Sequence, residues 1–232
     1  MLKGISSFGD QAIICDFGEE VNQGVNGEVI ALFKILQNKI SNNQIEGIKN
    51  CVPSYNKLVI NFDLNITTSK SLISFINTLT GERSNFNQVG QKWNLPVCYD
   101  EEFGIDQLQI SKQTGISVQE IIEMHQQTNF YIYMIGFMPG LPYMGDLDNK
   151  LHVPRLKTPR VEISKGSVII AEQFCGIFPR NSPCGWSIIG KTPVVFFNQD
   201  SANKPSLLSP GDLVQFYSIS KKDFENFDMK NF

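Results

Sequence analysis

Beyond residue 129 the chain is a series of short apolar runs, each closed by glycine or proline: "NFYIYMI", "GSVIIAE", "GWSIIG", "PVVFF" and, after the turn "SPGD", "LVQFYSI". Proline has no amide hydrogen for a helix interior, and glycine there costs conformational entropy. Apolar runs of four to seven residues between such breakers have strand length. The C-terminal part is therefore expected to be an all-β barrel or sandwich. One connection departs from the usual short, polar form. In "YMIGFMPGLPYMGDL", residues 133–147, an apolar strand runs into a loop rich in glycine, proline, aromatic residues and methionine.

The first part has a different pattern. "QAIICDF" reads as a strand, and "NGEVIALFKILQNKI" sets Val29, Leu32, Phe33, Leu36 and Ile40 on one helical face, with Asn26 as a candidate N-cap. "IEGIKNCV" and "YNKLVINF" flank "PS" as a hairpin whose second strand alternates Leu58, Ile60 and Phe62 with Lys57 and Asn61. "SKSLISFINTLTG" follows with Leu72, Ile73, Ile76 and Leu79 at helical spacing, capped by Thr68 or Ser69 and closed by Gly81. "KWNLPVCY" supplies a further strand, which gives the order βαββαβ of a ferredoxin-like domain. The expected division is an α+β domain over residues 1–95 and a β-barrel domain over 96–232. Two short helices are expected at about 106–113 and 118–126, the second opened by a Ser117–Glu120 capping box.

Bulk properties exclude several functions. With 232 residues and 41% apolar content the chain can bury a real core, in one large domain or two small ones. The net charge of −3 and pI of about 5.5 supply no general field for nucleic acid or an anionic membrane. The helix pair resembles a helix–turn–helix, but Ser117 to Thr128 holds Glu120 and Glu123 and neither lysine nor arginine, so DNA binding is rejected. The N-terminus lacks the apolar core of a signal peptide, and no run reaches the length of a membrane span, which leads to the expectation of a cytoplasmic protein. Cys15, Cys51, Cys98, Cys175 and Cys184 include no C-x-x-C pair and read as buried thiols. His125 and His152 have no partner at ligand spacing, so no zinc site is visible.

Four features carry chemistry. "GWSIIGKT", residues 185–192, matches the phosphate-loop pattern, yet its interior is strand-like and "PVVFF" follows where a helix should open, so the match is read as chance. His125 shares the apolar helix face with Val118, Ile121 and Ile122. It is either a core histidine or, by its place in the last turn, an acid or base at the barrel mouth. Lys150, Arg155, Lys157, Arg160 and Lys165 fall within sixteen positions holding one acid, Glu162, and prolines stiffen the backbone beside the arginines. This is either a solvated loop or an anion clamp. Ser182 and Cys184 have no assignable triad partners, and Trp186 reads as core.

Taken together, "YMIGFMPGLPYMG", "VPRLKTPR", "ISKGSVIIAEQFCGIFP", "NSPCGWSIIGKTP" and "LLSPGDLVQF" resemble the carboxyltransferase C-subdomain family, as do "FGDQAIICDFG", "YNKLVINFD" and "EIIEMH" nearer the N-terminus. That family includes the B subunit of 5-oxoprolinase, the first subunit of allophanate hydrolase, an inhibitor of a sporulation histidine kinase and a segment of urea amidolyase. The resemblance implies a small α+β domain before a cyclophilin-like barrel. It further implies the B subunit of an ATP-dependent 5-oxoprolinase, inactive or nearly so alone, with a C-subunit-like barrel protein and an A-subunit-like protein as partners. ATP is then the co-substrate that activates the lactam. Allophanate hydrolysis and inhibition of a sensor histidine kinase are the alternatives.

On this reading His125, Arg160 and Lys165 are the catalytic candidates, while Phe137, Gly140, Tyr143, Arg155 and Ser182 are candidates for substrate binding. The GFMPGLPY loop becomes a rigid apolar lip of a pocket or of the contact with a partner. Cys175-Gly176 and Cys184-Gly185 depart from the family's usual T-G and G-G, so a cysteine nucleophile is not expected.

Overall fold

The computed structural model describes residues 2–79, 90–201 and 204–232. The chain divides into two units, Met1–Val89 and Gly90–Phe232.

In the first unit the elements run β1 (Gly4–Ser7), β2 (Ala12–Asp16), α1 (Gln23–Ser41), β3 (Ile48–Pro53), β4 (Lys57–Phe62) and α2 (Ser69–Thr78). Its antiparallel sheet has the order β1-β2-β4-β3. The hairpin β3–β4 forms as its alternation requires, with Leu58, Ile60 and Phe62 wholly buried. Each such side chain contributes about 1.5–3 kcal/mol. They pack with Val29, Leu32, Ile35 and Leu36 of α1 and with Leu72 and Ile76 of α2.

The cap of α1 lies a turn earlier than expected: Asn22 accepts from the Val25 amide at 2.9 Å. Asn26 lies inside the helix, where its amide nitrogen donates to Ser54 O and Tyr55 O, both at 2.9 Å, and ties the helix to the β3–β4 turn. Thr68 caps α2 by accepting from the Ser71 amide, and Gly81 lies outside the described residues.

The βαββαβ order is not what the described residues form. The strand expected to complete it, β5 (Lys92–Val97), belongs to the second unit, where six of its residues pair in parallel with β13 (Leu213–Ser218). Among the described residues the first unit therefore reads ββαββα. A short strand from Gly4 to Ser7, too polar to be noticed in the sequence, occupies the free edge.

The second unit continues with α3 (Gln107–Thr114), α4 (Val118–Gln127), β6 (Phe130–Ile135), β7 (Pro142–Gly145), β8 (Arg160–Ile163), β9 (Ser167–Ala171), β10 (Phe174–Ile177), β11 (Ser182–Cys184) and β12 (Ser187–Lys191); α5 (Lys221–Glu225) follows β13. Seven strands form one sheet in the order β12-β9-β10-β7-β6-β13-β5. Its edges meet where Cys98 N donates to Lys191 O at 2.8 Å and Lys191 N to Cys98 O at 3.0 Å, so the sheet curls to a nearly closed barrel. Gly115 closes α3 in the left-handed region, and the Ser117–Glu120 capping box opens α4. "PVVFF" is not a strand; Val194 and Phe196 are buried from an irregular segment.

The buried strand β9 decides where a site can form. Val168 and Ile170 point into the main core, whereas Ile169 and Ala171 point to a smaller one with Met138, Leu141, Phe178, Trp186 and Ile188. Alternation across the pleat thus serves two cores. The smaller core is covered by the two-stranded β8–β11 ribbon and the loop after β6.

No helix among the described residues is long and apolar enough to cross a membrane.

Candidate functional site

The loop between β6 and β7 is held from both ends. Gly136 N donates to Leu141 O at 3.1 Å, Leu141 N donates to Met138 O at 3.3 Å, and the side chains of Met138 and Leu141 are buried. Gly140 has φ +83°, and a Cβ there would lie 2.7 Å from Phe197 Cβ, so both backbone sign and space require glycine. With its neighbours turned inward, Phe137 is left 70% exposed at φ +64°, an unusual angle for a side chain of its size. Its ring centroid is 6.4 Å from that of Phe178.

Below this loop the smaller core opens into a cleft of about 230 Å³. Phe137, Leu141 and Tyr143 form one side, and Arg155, Leu156 and Pro159 another. Ile169 contributes from β9 and Phe178 from just after β10, and Pro183 to Trp186 complete the lining. The Leu156 amide donates to Gly185 O at 2.7 Å and fastens the basic segment to the turn that carries Trp186. Tyr143 meets Trp186 edge to face, with centroids 5.7 Å apart, and the Arg155 guanidinium carbon lies 5.7 Å from the same indole. Burial raises the Tyr143 hydroxyl above its ordinary pKa, against the opposing charge of Arg155.

Behind the wall is a buried ion pair. Arg160 on β8 stands opposite Cys184 on β11 and donates Nη2 to Asp106 Oδ1 at 2.6 Å. Asp106, 3% exposed, also accepts from the Ile188 amide at 2.7 Å through Oδ2. Cys184 lines the cleft, but burial pushes its thiol up, and its sulfur accepts from the Trp186 amide at 3.2 Å. It is a structural wall residue.

Phe137, Tyr143 and Arg155 thus come together in the cleft. Gly140 shapes the loop without lining the cleft, and Ser182 sits in the β8–β11 ribbon paired with Ile163. Lys165 is exposed away from the cleft, with its backbone amide donating to Asn181 Oδ1 at 2.9 Å. Arg160 is paired with Asp106 through Nη2, while its buried Nη1 has no hydrogen-bond partner among the described residues.

The expectation that His125 faces the barrel mouth is corrected. It is 0% exposed, with Nδ1 2.8 Å from the Tyr99 hydroxyl, Nε2 3.4 Å from Cys175 Sγ, and its ring stacked at 4.5 Å on Phe216. Burial lowers its pKa to about 3, so it is a neutral core residue at ordinary pH.

Reading Trp186 as core alone is also incomplete: at 8% exposure it belongs to the smaller core and walls the cleft at once. Asp106 gave no sequence signal beyond its place before α3. Residues 187–191 of the phosphate-loop match form strand β12, and the Ile188 amide is spent on Asp106, so this run is no phosphate cradle.

The carboxyltransferase domain model, subdomain C and D, matches residues 3–208. The chain is 33% identical to the 5-oxoprolinase B subunit of Bacillus subtilis, across 96% of this chain and 95% of that one. It is 32% identical to the Haemophilus influenzae protein of the same name, across 89% and 93%. Among solved structures, TTHA0988 superposes with a TM-score of 0.80 at 27% identity, covering 90% of this chain; this chain spans 40% of that longer one. The matched span takes in the whole cleft and every strand but β13, and the chain belongs to the carboxyltransferase domain family, subdomain C and D.

Proposed function

We propose that this chain is a subunit of an ATP-dependent 5-oxoprolinase complex, inactive or nearly so alone, that opens 5-oxoproline to glutamate. The observation that carries this reading is similarity running from end to end of the chain to proteins named as the B subunit of that enzyme. Its partners are a C-subunit-like barrel protein and an A-subunit-like protein.

The chemistry explains why such a protein needs no nucleophile of its own. A lactam amide resists water because its nitrogen donates into the carbonyl. Phosphorylating the amide oxygen with ATP makes the carbon a better electrophile, and water is consumed both in opening the ring and in releasing phosphate. What remains for this chain is to bind and orient. An apolar cleft with a cation at one wall and a thiol held protonated is suited to that task. The cleft is small and the G-x-x-x-x-G-K-T run is a strand, so the nucleotide is assigned to the complex and not to this run.

The test is glutamate formation from 5-oxoproline and ATP by this chain mixed with its candidate partners, omitting each in turn. Activity that requires this chain is expected. An assembled complex with no glutamate production would overturn the assignment.

A further inference from the structure

Among the described residues, the cleft holds a cation with no counter-charge. Arg155 is exposed at the wall, and no carboxylate lies within salt-bridge distance of it among the described residues, whereas Arg160 is paired with Asp106. The Arg155 guanidinium carbon lies over the Trp186 ring, 5.7 Å from its centroid, and the N–H donors of a guanidinium lie in its plane and point outward from its edge. An arginine held over an indole at cation–π distance has its position restricted while its fork stays open to an anion. The other walls are the rings of Tyr143 and Phe178 and the side chains of Leu141 and Ile169, which strip water from whatever apolar body the anion carries.

Size narrows the ligand further. At about 230 Å³ the cleft is below the range of about 300–1,000 Å³ typical of drug-sized ligands, too small for a nucleotide and matched to a single small ring.

We propose that this cleft binds a small-ring carboxylate, with Arg155 taking the carboxylate through its fork and Trp186 and Tyr143 packing the ring. The identity of the ring rests on the proposed function, under which the ligand is 5-oxoproline itself. The polar specificity then comes from a residue at the aromatic wall, and His125 and Lys165 have no part in it.

The full chain and the reconstituted complex are each titrated with 5-oxoproline, with cyclopentanecarboxylate, which keeps ring and carboxylate, and with 2-pyrrolidone, which keeps the lactam alone. Binding is read by calorimetry and ligand-observed NMR. Both carboxylates are expected to bind, and 2-pyrrolidone at least about tenfold more weakly, the loss typical of a hydrogen bond to a charged group. Arg155→Ala reduces 5-oxoproline to the level of 2-pyrrolidone and raises KM at least about tenfold with a smaller change in kcat, whereas Arg155→Lys recovers part of the loss. Because Arg155 is exposed, both variants retain the fold, which circular dichroism checks.

Equal binding of all three ligands overturns the inference, as does 5-oxoproline binding or KM unchanged in Arg155→Ala, or no binding to either the chain or the complex. If the complex turns over 5-oxoproline and Arg155→Ala leaves KM unchanged, the cleft assignment fails and membership of the 5-oxoprolinase complex stands. If the complex makes no glutamate but the cleft binds ring carboxylates through Arg155, that membership fails and the ligand class stands.

Discussion

Arg160 and Asp106 are joined at 2.6 Å behind the cleft wall, and the same carboxylate holds the Ile188 amide at 2.7 Å. One buried charge thus ties β8 to the start of β12, on either side of the turn that carries Trp186.

Removing the cation from this pair leaves the Asp106 carboxylate buried without its counter-charge. Arg160→Ala is expected to cost about 3 kcal/mol, the low end for breaking a buried pair because the Arg160 side chain is 29% exposed. Urea denaturation measures the loss, and a change within about 0.5 kcal/mol, the range of ordinary surface substitutions, would show that the pair does not hold the wall.

His125 makes stability depend on pH. Its folded pKa of about 3 lies below the ordinary 6.5, so the unfolded chain binds the extra proton between these values. This contribution is fully present above about pH 6.5 and is lost as pH falls toward 3, at up to about 1.4 kcal/mol per pH unit. Denaturation of the wild type and of His125→Gln at pH 7, 6 and 5 should show a shallower fall in the variant; parallel curves would contradict the burial. The imidazole NMR signals of His125 should likewise not titrate between pH 5 and 8.

The β6–β7 loop separates backbone strain from surface function. Gly140→Ala meets Phe197 and the left-handed backbone together and should cost about 2 kcal/mol. Phe137→Gly removes an exposed ring at φ +64° and should leave thermal stability unchanged or raised while weakening what the cleft binds. A lower melting temperature for Phe137→Gly would mean that the ring packs more than its exposure indicates.

All five cysteines are buried outside any disulfide, and burial raises the Cys51, Cys175 and Cys184 thiols. The native chain should react with almost no disulfide reagent at pH 8, and all five thiols should react once it is denatured. Rapid labelling of Cys184 in the native protein would reopen its role in the cleft.

The elements most legible in the sequence were those specified by near neighbours. The β3–β4 hairpin follows from the alternation of Leu58, Ile60 and Phe62, and the start of α4 from Ser117 and Glu120, because a pleat and a capping box need only a few consecutive residues. The glycine–proline loop was recognisable as an unusual lip, and its Phe137 and Tyr143 do line the cleft. Motif order pointed to the family that the comparisons establish.

Tertiary structure decided what depends on distant partners. Lys92–Val97 has the pattern of a strand, but only pairing with Leu213–Ser218 assigns it to the second unit. His125 shares its helical periodicity with a catalytic or a core residue alike; Tyr99, Cys175 and Phe216, from three other parts of the chain, bury it. Arg155 and Arg160 lie five positions apart in one basic stretch, yet Asp106 neutralises one and the other lies over the Trp186 ring. Local sequence sets the backbone's preferences and the charge each residue carries, whereas burial and neutralisation are set by side chains that folding brings from far along the chain, as His125 and Tyr99 are 26 positions apart and Arg160 and Asp106 are 54 apart.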